Sequence, residues 1–258
     1  MKFCAKIERK YHFTERKKIL RSLFIEIYHY INYFNKLQFG NKLNYIYKII
    51  FPVLIIVFNS GNQYGDSLVA SVIPWVSYLI FISGVSVVIE TATLREQGYL
   101  KQYHTLVSHQ SVFIISKFIV EIMFFCMSIV IIYTILCLLY PNDIISMLRL
   151  VHSSIVSGLV MTISIVFLMS FLLLLDLNLK SLNTLSGIIV MLALAFLYIS
   201  TFNELGINLI NPIFLTNYFM WAIYQNTQLG YQFFLPIFVY FGIGIYSFRC
   251  MHILPKEG

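Results

Sequence analysis

The sequence has little charge. Only 11% of its 258 residues are charged, whereas soluble domains average roughly 25%. Mean hydropathy is +0.80, and several runs reach the ~20 apolar residues that cross a bilayer. These figures exclude an ordinary soluble domain. They predict an all-α integral membrane protein with several spans.

The motifs of common enzyme and nucleotide sites are also missing. The chain has no G-x-x-x-x-G-K-[ST], no H-E-x-x-H and no G-x-S-x-G. Its four cysteines form no C-x-x-C pair, and its six histidines are scattered. We therefore expect no catalysis, no metal ion and no cofactor on this chain. The net charge is +7, and the Lys and Arg residues are placed as they are when they set the orientation of a membrane protein, not as in a nucleic-acid site.

The first 42 residues form a basic, cytoplasmic region. Residues 1–21 carry eight Lys or Arg, which either fix the orientation or bind a cytosolic partner or anionic lipid. Apolar residues recur with a helical period through residues 22–39. This pattern predicts an amphipathic helix that lies in the membrane interface. The alternative is a helix that packs against the membrane bundle.

Residues 43–258 are predicted to form one membrane domain with six spans. Residues 201–230 are rich in apolar and aromatic side chains, which predicts short helices in the outer interface before the last span. The predicted spans are about 43–58, 68–89, 113–139, 154–175, 182–200 and 231–247.

Basic residues indicate the orientation. Six spans place both termini on one side, and fifteen of the 18 Lys and Arg residues fall on that side. The opposite loops carry only Arg149. The positive-inside rule therefore places both termini in the cytoplasm.

Two charged residues, Lys117 and Glu121, fall inside a predicted span. They are four positions apart, so they share one face of the third span near its cytoplasmic end. They form either a self-neutralising pair at the interface or a contact with the neighbouring loop or a translocation path. An intramembrane protease or acyltransferase would need more convergent polar residues, and the spans offer no others.

A polar segment, residues 90–101, separates two long apolar runs and forms the first part of the predicted cytoplasmic loop 90–112. Its composition predicts a short amphipathic helix in which Gly98 is the weakest helix former. A helix of this kind in a cytoplasmic loop could bind a soluble partner and transmit its movement to the membrane domain.

This region resembles the membrane subunit of bacterial ABC exporters of the type 2 permease class. The similar residues are 95–100 (REQGYL), 105–108 (TLVS) and 116–117 (SK). Leu106 and Ser116 stand where the family usually has Pro and Gly. The order of elements is also similar: a cytoplasmic amphipathic helix, six spans, and outer helices before the last span.

The resemblance implies a complex of two permeases and two separate ATPase subunits. ATP and Mg would bind only to the ATPase subunits, which would push on the loop 90–101. Coupling is then expected at Glu90, Leu94, Arg95, Glu96, Gly98 and Lys101. The interfacial helix would be anchored by Phe24, Ile27, Ile31 and Phe34.

The expected function is therefore export across a bacterial plasma membrane. The substrate would be an amphipathic or hydrophobic molecule such as a peptide, a toxin or bacteriocin, a drug or a lipid-like compound. The partners would be the ABC ATPase, a second permease copy or paralogue, and membrane lipid. The alternative is a partner-free immunity or channel protein, which would need no motor.

Overall fold

The computed structural model describes residues 23–40, 50–60, 66–97, 111–141, 144–175, 177–199, 208 and 210–250. Every regular element in these ranges is helical, which confirms the all-α prediction. A 3-10 helix, Ser170–Leu174, directly follows the helix that ends at Met169. The helices are α1 (23–40), α2 (Phe51–Ser60), α3 (Asp66–Glu96), α4 (Ser111–Leu139), α5 (Ile144–Met169), α6 (Leu179–Ile199), α7 (Pro212–Gln225) and α8 (Tyr231–Cys250).

Five of these helices are long and apolar enough to cross a membrane, which supports a multi-pass membrane protein. The first predicted span, 43–58, overlaps α2. This helix has ten residues, or about 15 Å of a hydrocarbon core roughly 30 Å thick. Residues 41–49 lie outside the described residues, so the sixth span remains a prediction. The five candidates are Leu68–Glu96, Val112–Leu139, Ile144–Leu174, Leu179–Ile199 and Phe233–Cys250.

Several helix ends differ from the predicted ones. α3 continues through Glu96 instead of ending at residue 89, and α6 begins three residues early at Leu179. α5 begins at Ile144, ten residues before the predicted start. The exposed side of its first turns carries Ile144, Ile145 and Leu148 as well as Arg149, whereas Ser153 and Ser154 are buried. The mixed residues 144–153 therefore belong to a helix whose exposed side is apolar apart from Arg149 and His152.

The core of the bundle is the contact between α3 and α5, the most extensive in the protein. In the apolar 18-residue stretch of α3 72% is buried, whereas in that of α6 only 22% is buried. Gly84 permits the close approach, since a Cβ there would lie 2.6 Å from Cγ2 of Ile165 on α5. Lipid provides no hydrophobic driving force between helices, so close packing of this kind has to hold them together.

The segment before the last span contains a well-capped helix, α7. Asn211 accepts hydrogen bonds from the backbone of the first turn, Pro212 follows it, and Asn226 ends the helix in a left-handed conformation. At 14 residues it is about 21 Å long. Asn211 also donates to the Phe196 carbonyl at 2.8 Å, and Tyr240 donates to the Ile210 carbonyl at 2.9 Å. These contacts join α7 to α6 and α8.

Candidate functional site

The last two turns of α3 carry part of the predicted coupling segment. Thr91 and Thr93 donate their hydroxyl hydrogens to the carbonyls of Val87 and Ile89, at 2.6 and 2.9 Å. These bonds satisfy both hydroxyls within the helix, which stays unbroken. The segment is therefore helical as far as Glu96, but as the end of a long helix and not as a separate one.

Arg95 is buried, with 3% of its surface exposed. Its Nη1 and Nη2 donate to the carbonyls of Leu173 and Leu175, the second at 3.0 Å. Its Nε donates to Oε1 of Glu96 at 2.7 Å. Terminal carbonyls of a helix lack intrahelical partners and carry its partial negative charge, so they favour a cation. We call these bonds to Leu173 and Leu175 the Arg95 contact; it joins the end of α3 to the end of α5.

The predicted coupling residues therefore differ in exposure. Arg95 is buried and donates its hydrogen bonds to backbone carbonyls of its own chain, whereas the neighbouring Glu96 is partly exposed. Leu94 is half-buried and packs against the aromatic cluster between α1 and α4. Gly98 and Lys101 lie outside the described residues. Position 97 is the last described residue of the segment, and its side chain is exposed.

A second polar site surrounds Lys117 on α4, which is 1% exposed. Its ammonium group pairs with a carboxylate oxygen of Glu90, lies 3.7 Å from Oε1 of Glu121, and donates to Oε1 of Gln38 at 3.2 Å. Nε2 of Gln38 donates to the same Glu121 oxygen at 2.6 Å. The Phe34 ring lies 5.4 Å from the ammonium. Gln38, Glu90, Lys117 and Glu121 are called the Lys117 cluster below.

The Lys117 cluster connects three helices, because Gln38 belongs to α1, Glu90 to α3 and the other two residues to α4. The two predicted charges do lie together, but the pair is not self-contained. Lys117 also contacts Glu90, the first residue of the predicted coupling segment. Gln38 and the link to Glu90 were missed, since no local pattern connects positions 27 and 79 residues away from Lys117.

The apolar face of α1 packs against α4. The rings of Phe34 and Phe113 lie 4.9 Å apart, and those of Tyr30 and Phe113 6.1 Å apart. Ser116 Oγ also donates to the carbonyl of Ile27 at 3.4 Å. This arrangement favours the alternative in which α1 packs against the bundle.

The predicted lipid anchors of α1 consequently divide into two groups. Phe34 is buried, and Ile27 and Ile31 are half-buried on the side of α4, whereas Phe24 is 69% exposed. The outward face also carries Tyr28, a residue that the sequence analysis did not assign to the anchor. Beside α4, burial raises the pKa of Tyr30, and the Glu26 carboxylate adds to the effect.

Other surfaces offer little chemistry. A shallow apolar depression of about 460 Å³ lies on α6, lined by Thr184, Gly187, Ile188, Met191 and Leu192. It has no ionisable side chain. In the described part of the chain, no group of three or more His, Cys, Asp or Glu residues could hold a metal ion.

The Arg95 contact and the Lys117 cluster are therefore the two polar sites that the described residues form around the end of α3. Comparisons of the chain with protein-family models, with curated proteins and with solved structures find no match.

Proposed function

We propose that this chain is the membrane-spanning permease subunit of an ATP-driven bacterial exporter. A separate ABC ATPase binds ATP and Mg and pushes on the segment that follows α3. A second permease copy or a paralogue completes the complex, and the chain itself catalyses no reaction. The substrate is an amphipathic or hydrophobic molecule, such as a peptide, a toxin or bacteriocin, a drug or a lipid-like compound.

The observation that carries this proposal is the course of α3. The helix runs without interruption from the most buried part of the bundle to Glu96, which lies within the predicted coupling segment 90–101. A regular helix is stiff along its axis, since each turn is hydrogen-bonded to the next. A force applied just beyond Gln97 would therefore act directly on the bundle core.

Both polar sites would distribute that force. The Arg95 contact connects the end of α3 to the end of α5. The Lys117 cluster connects it to α4 through Glu90, and to α1 through Gln38. A push at the end of α3 would thus reach three other helices. This is the mechanical arrangement that a motor-driven permease requires.

The same contacts support the proposed orientation. Arg95 bonds to the carbonyl of Leu175, so the end of α3 and the residue shortly before α6 lie at one end of the bundle. α1 packs against the first turns of α4, which follow the same predicted loop. The described parts of α1, the end of α3, the start of α4 and Leu175 are thus spatial neighbours. We assign this end, with both termini, to the cytoplasm of a multi-pass protein in the plasma membrane.

The direct test is co-purification of the tagged chain from its native membrane in mild detergent. Bound proteins are identified by mass spectrometry, and the eluate is assayed for ATP hydrolysis. The proposal predicts a P-loop ATPase in the eluate. It further predicts that Glu96→Ala and Lys101→Ala reduce its recovery at least ~10-fold, the loss expected when a binding contact of about 1.4 kcal/mol is removed.

Arg149→Ala is the matched control, because Arg149 is exposed near the start of α5, at the end of that helix opposite Leu173. Recovery of the ATPase should be unchanged in this variant. Absence of any ATPase, or equal recovery with all three variants, would contradict the proposal. A partner-free immunity or channel protein would then be the better account.

A further inference from the structure

We infer that Lys117 has one permanent and one exchangeable carboxylate partner, and that this asymmetry lets the end of α3 move relative to α4 while α1 stays docked. The inference deepens the proposed function. It rests on that proposal only for the cause of the movement, since the contacts themselves belong to this chain alone.

The permanent partner is Glu121. Its side chain is completely buried, it shares α4 with Lys117, and the two residues are four positions apart. One helix holds both groups, so no movement between helices can separate them. The Gln38 amide strengthens the pair, because its oxygen accepts from the ammonium while its nitrogen donates to the carboxylate.

The exchangeable partner is Glu90. Its carboxylate belongs to a different helix, and its side chain is 36% exposed. In the proposed orientation this end of α3 borders the cytoplasm, so water can solvate that carboxylate once it leaves Lys117, and separation costs far less than it would for a buried group. Glu90 also lies only six residues before the end of α3, where the proposed force is applied.

With two carboxylates around it, the ammonium of Lys117 keeps one counter-ion when the other moves away. If Glu90 were the sole partner, movement of α3 would leave a buried, uncompensated ammonium, which is strongly unfavourable. Because Glu121 and Gln38 remain in place, the charge of Lys117 stays compensated in both positions of α3. The end of α3 can then separate from α4 without unfolding the junction with α1.

Distances between spin labels on the purified chain in lipid nanodiscs test this inference. The four native cysteines are first replaced by Ser. Labels on Gln97→Cys and Met123→Cys report the distance between α3 and α4. Labels on Asn32→Cys and Met123→Cys report the distance between α1 and α4. All three label positions are exposed.

The two carboxylates should then behave differently. Glu90→Gln should shift or broaden the α3–α4 distance by roughly 2 Å or more, the scale of helix shifts in conformational switches, and leave the α1–α4 distance unchanged.

Glu121→Gln should broaden the α1–α4 distance. Gln38→Leu should do the same with the charge pair left intact, which keeps the test decisive if Glu121→Gln does not fold. Lys36→Gln, which removes a charge from the exposed side of α1, is the control and should alter neither distance.

The inference is overturned if Glu90→Gln and Gln38→Leu change the same distance, or if neither variant changes any. These measurements need no ATPase. Failure of the co-purification would reject the exporter without affecting the distances, and equal behaviour of the two variants would reject the exchange without affecting the exporter.

Discussion

α3 is held in two different ways along its length. In the middle of the bundle a glycine, Gly84, lets its backbone approach Ile165 of α5 closely. In its last turns two charged side chains make the contacts: Glu90 pairs with Lys117 of α4, and Arg95 donates to the carbonyl of Leu173, just after α5. Close packing therefore holds the helix where its surroundings are apolar, and charged side chains hold its last turns, next to the predicted cytoplasmic loop.

The largest effect should come from Lys117→Met in the charged region. This change leaves Glu121 buried without its cation, at an expected cost of about 3–5 kcal/mol. The measurement is unfolding in detergent followed by circular dichroism. The double variant Lys117→Met/Glu121→Gln should recover much of the loss, because the uncompensated charge is gone. A single variant as stable as the native chain would contradict the assignment.

Arg95→Met should cost somewhat less, about 2–3 kcal/mol, since the carbonyls of Leu173 and Leu175 lose their donor. The same unfolding assay applies. Two of its acceptors are backbone carbonyls that no substitution can remove, so no second-site change should rescue this variant. Arg249→Met, the same chemical change at an exposed position of α8, should stay within about 0.5 kcal/mol of the native chain.

Gly84→Val tests the apolar region and should cost about 1–3 kcal/mol, because the added methyl groups overlap Ile165. Ile165→Ala in the same chain should restore part of the stability by opening the space. Gly187→Val on α6 is the matched control, since a Cβ there meets nothing within 4 Å. Equal destabilisation at both glycines would show that helix propensity, and not close packing, sets the cost.

Thr91→Val should have the smallest effect, about 0.5 kcal/mol or less. The side chain keeps its shape, and the Val87 carbonyl that accepts the hydroxyl already belongs to a helical backbone. A loss of stability above about 1.5 kcal/mol in the unfolding assay would mean that this hydroxyl has a further role at the end of α3.

The sequence predicted the helical class and the approximate ends of the third span, because long apolar runs need no tertiary information to be recognised. It also predicted that 201–230 contains a helix, and α7 lies there. It placed the starts of α5 and α6 too late. The mixed residues 144–153 and the polar residues 176–181 were left out of the predicted spans, yet an exposed Arg149 or Lys180 does not interrupt a helix.

The candidate site was predictable only in part. Lys117 and Glu121 stand out as charges within an apolar run, and Glu90 to Glu96 as a polar interruption. Their connection through Gln38 depends on how α1 packs against α4, which no local pattern specifies. Burial of Arg95 was equally hidden, since its acceptors are backbone carbonyls and carry no sequence signal.

If a motor acts at the end of α3, as proposed, it has to contact the residues there. A photo-crosslinking residue is therefore introduced at position 97 and activated in native membranes, and the crosslinked product is identified by mass spectrometry. We expect a covalent product with an ATP-binding P-loop protein, and no such product from the same residue at position 149. A product with no ATPase at position 97, or equal ATPase capture at both positions, would contradict the proposed function.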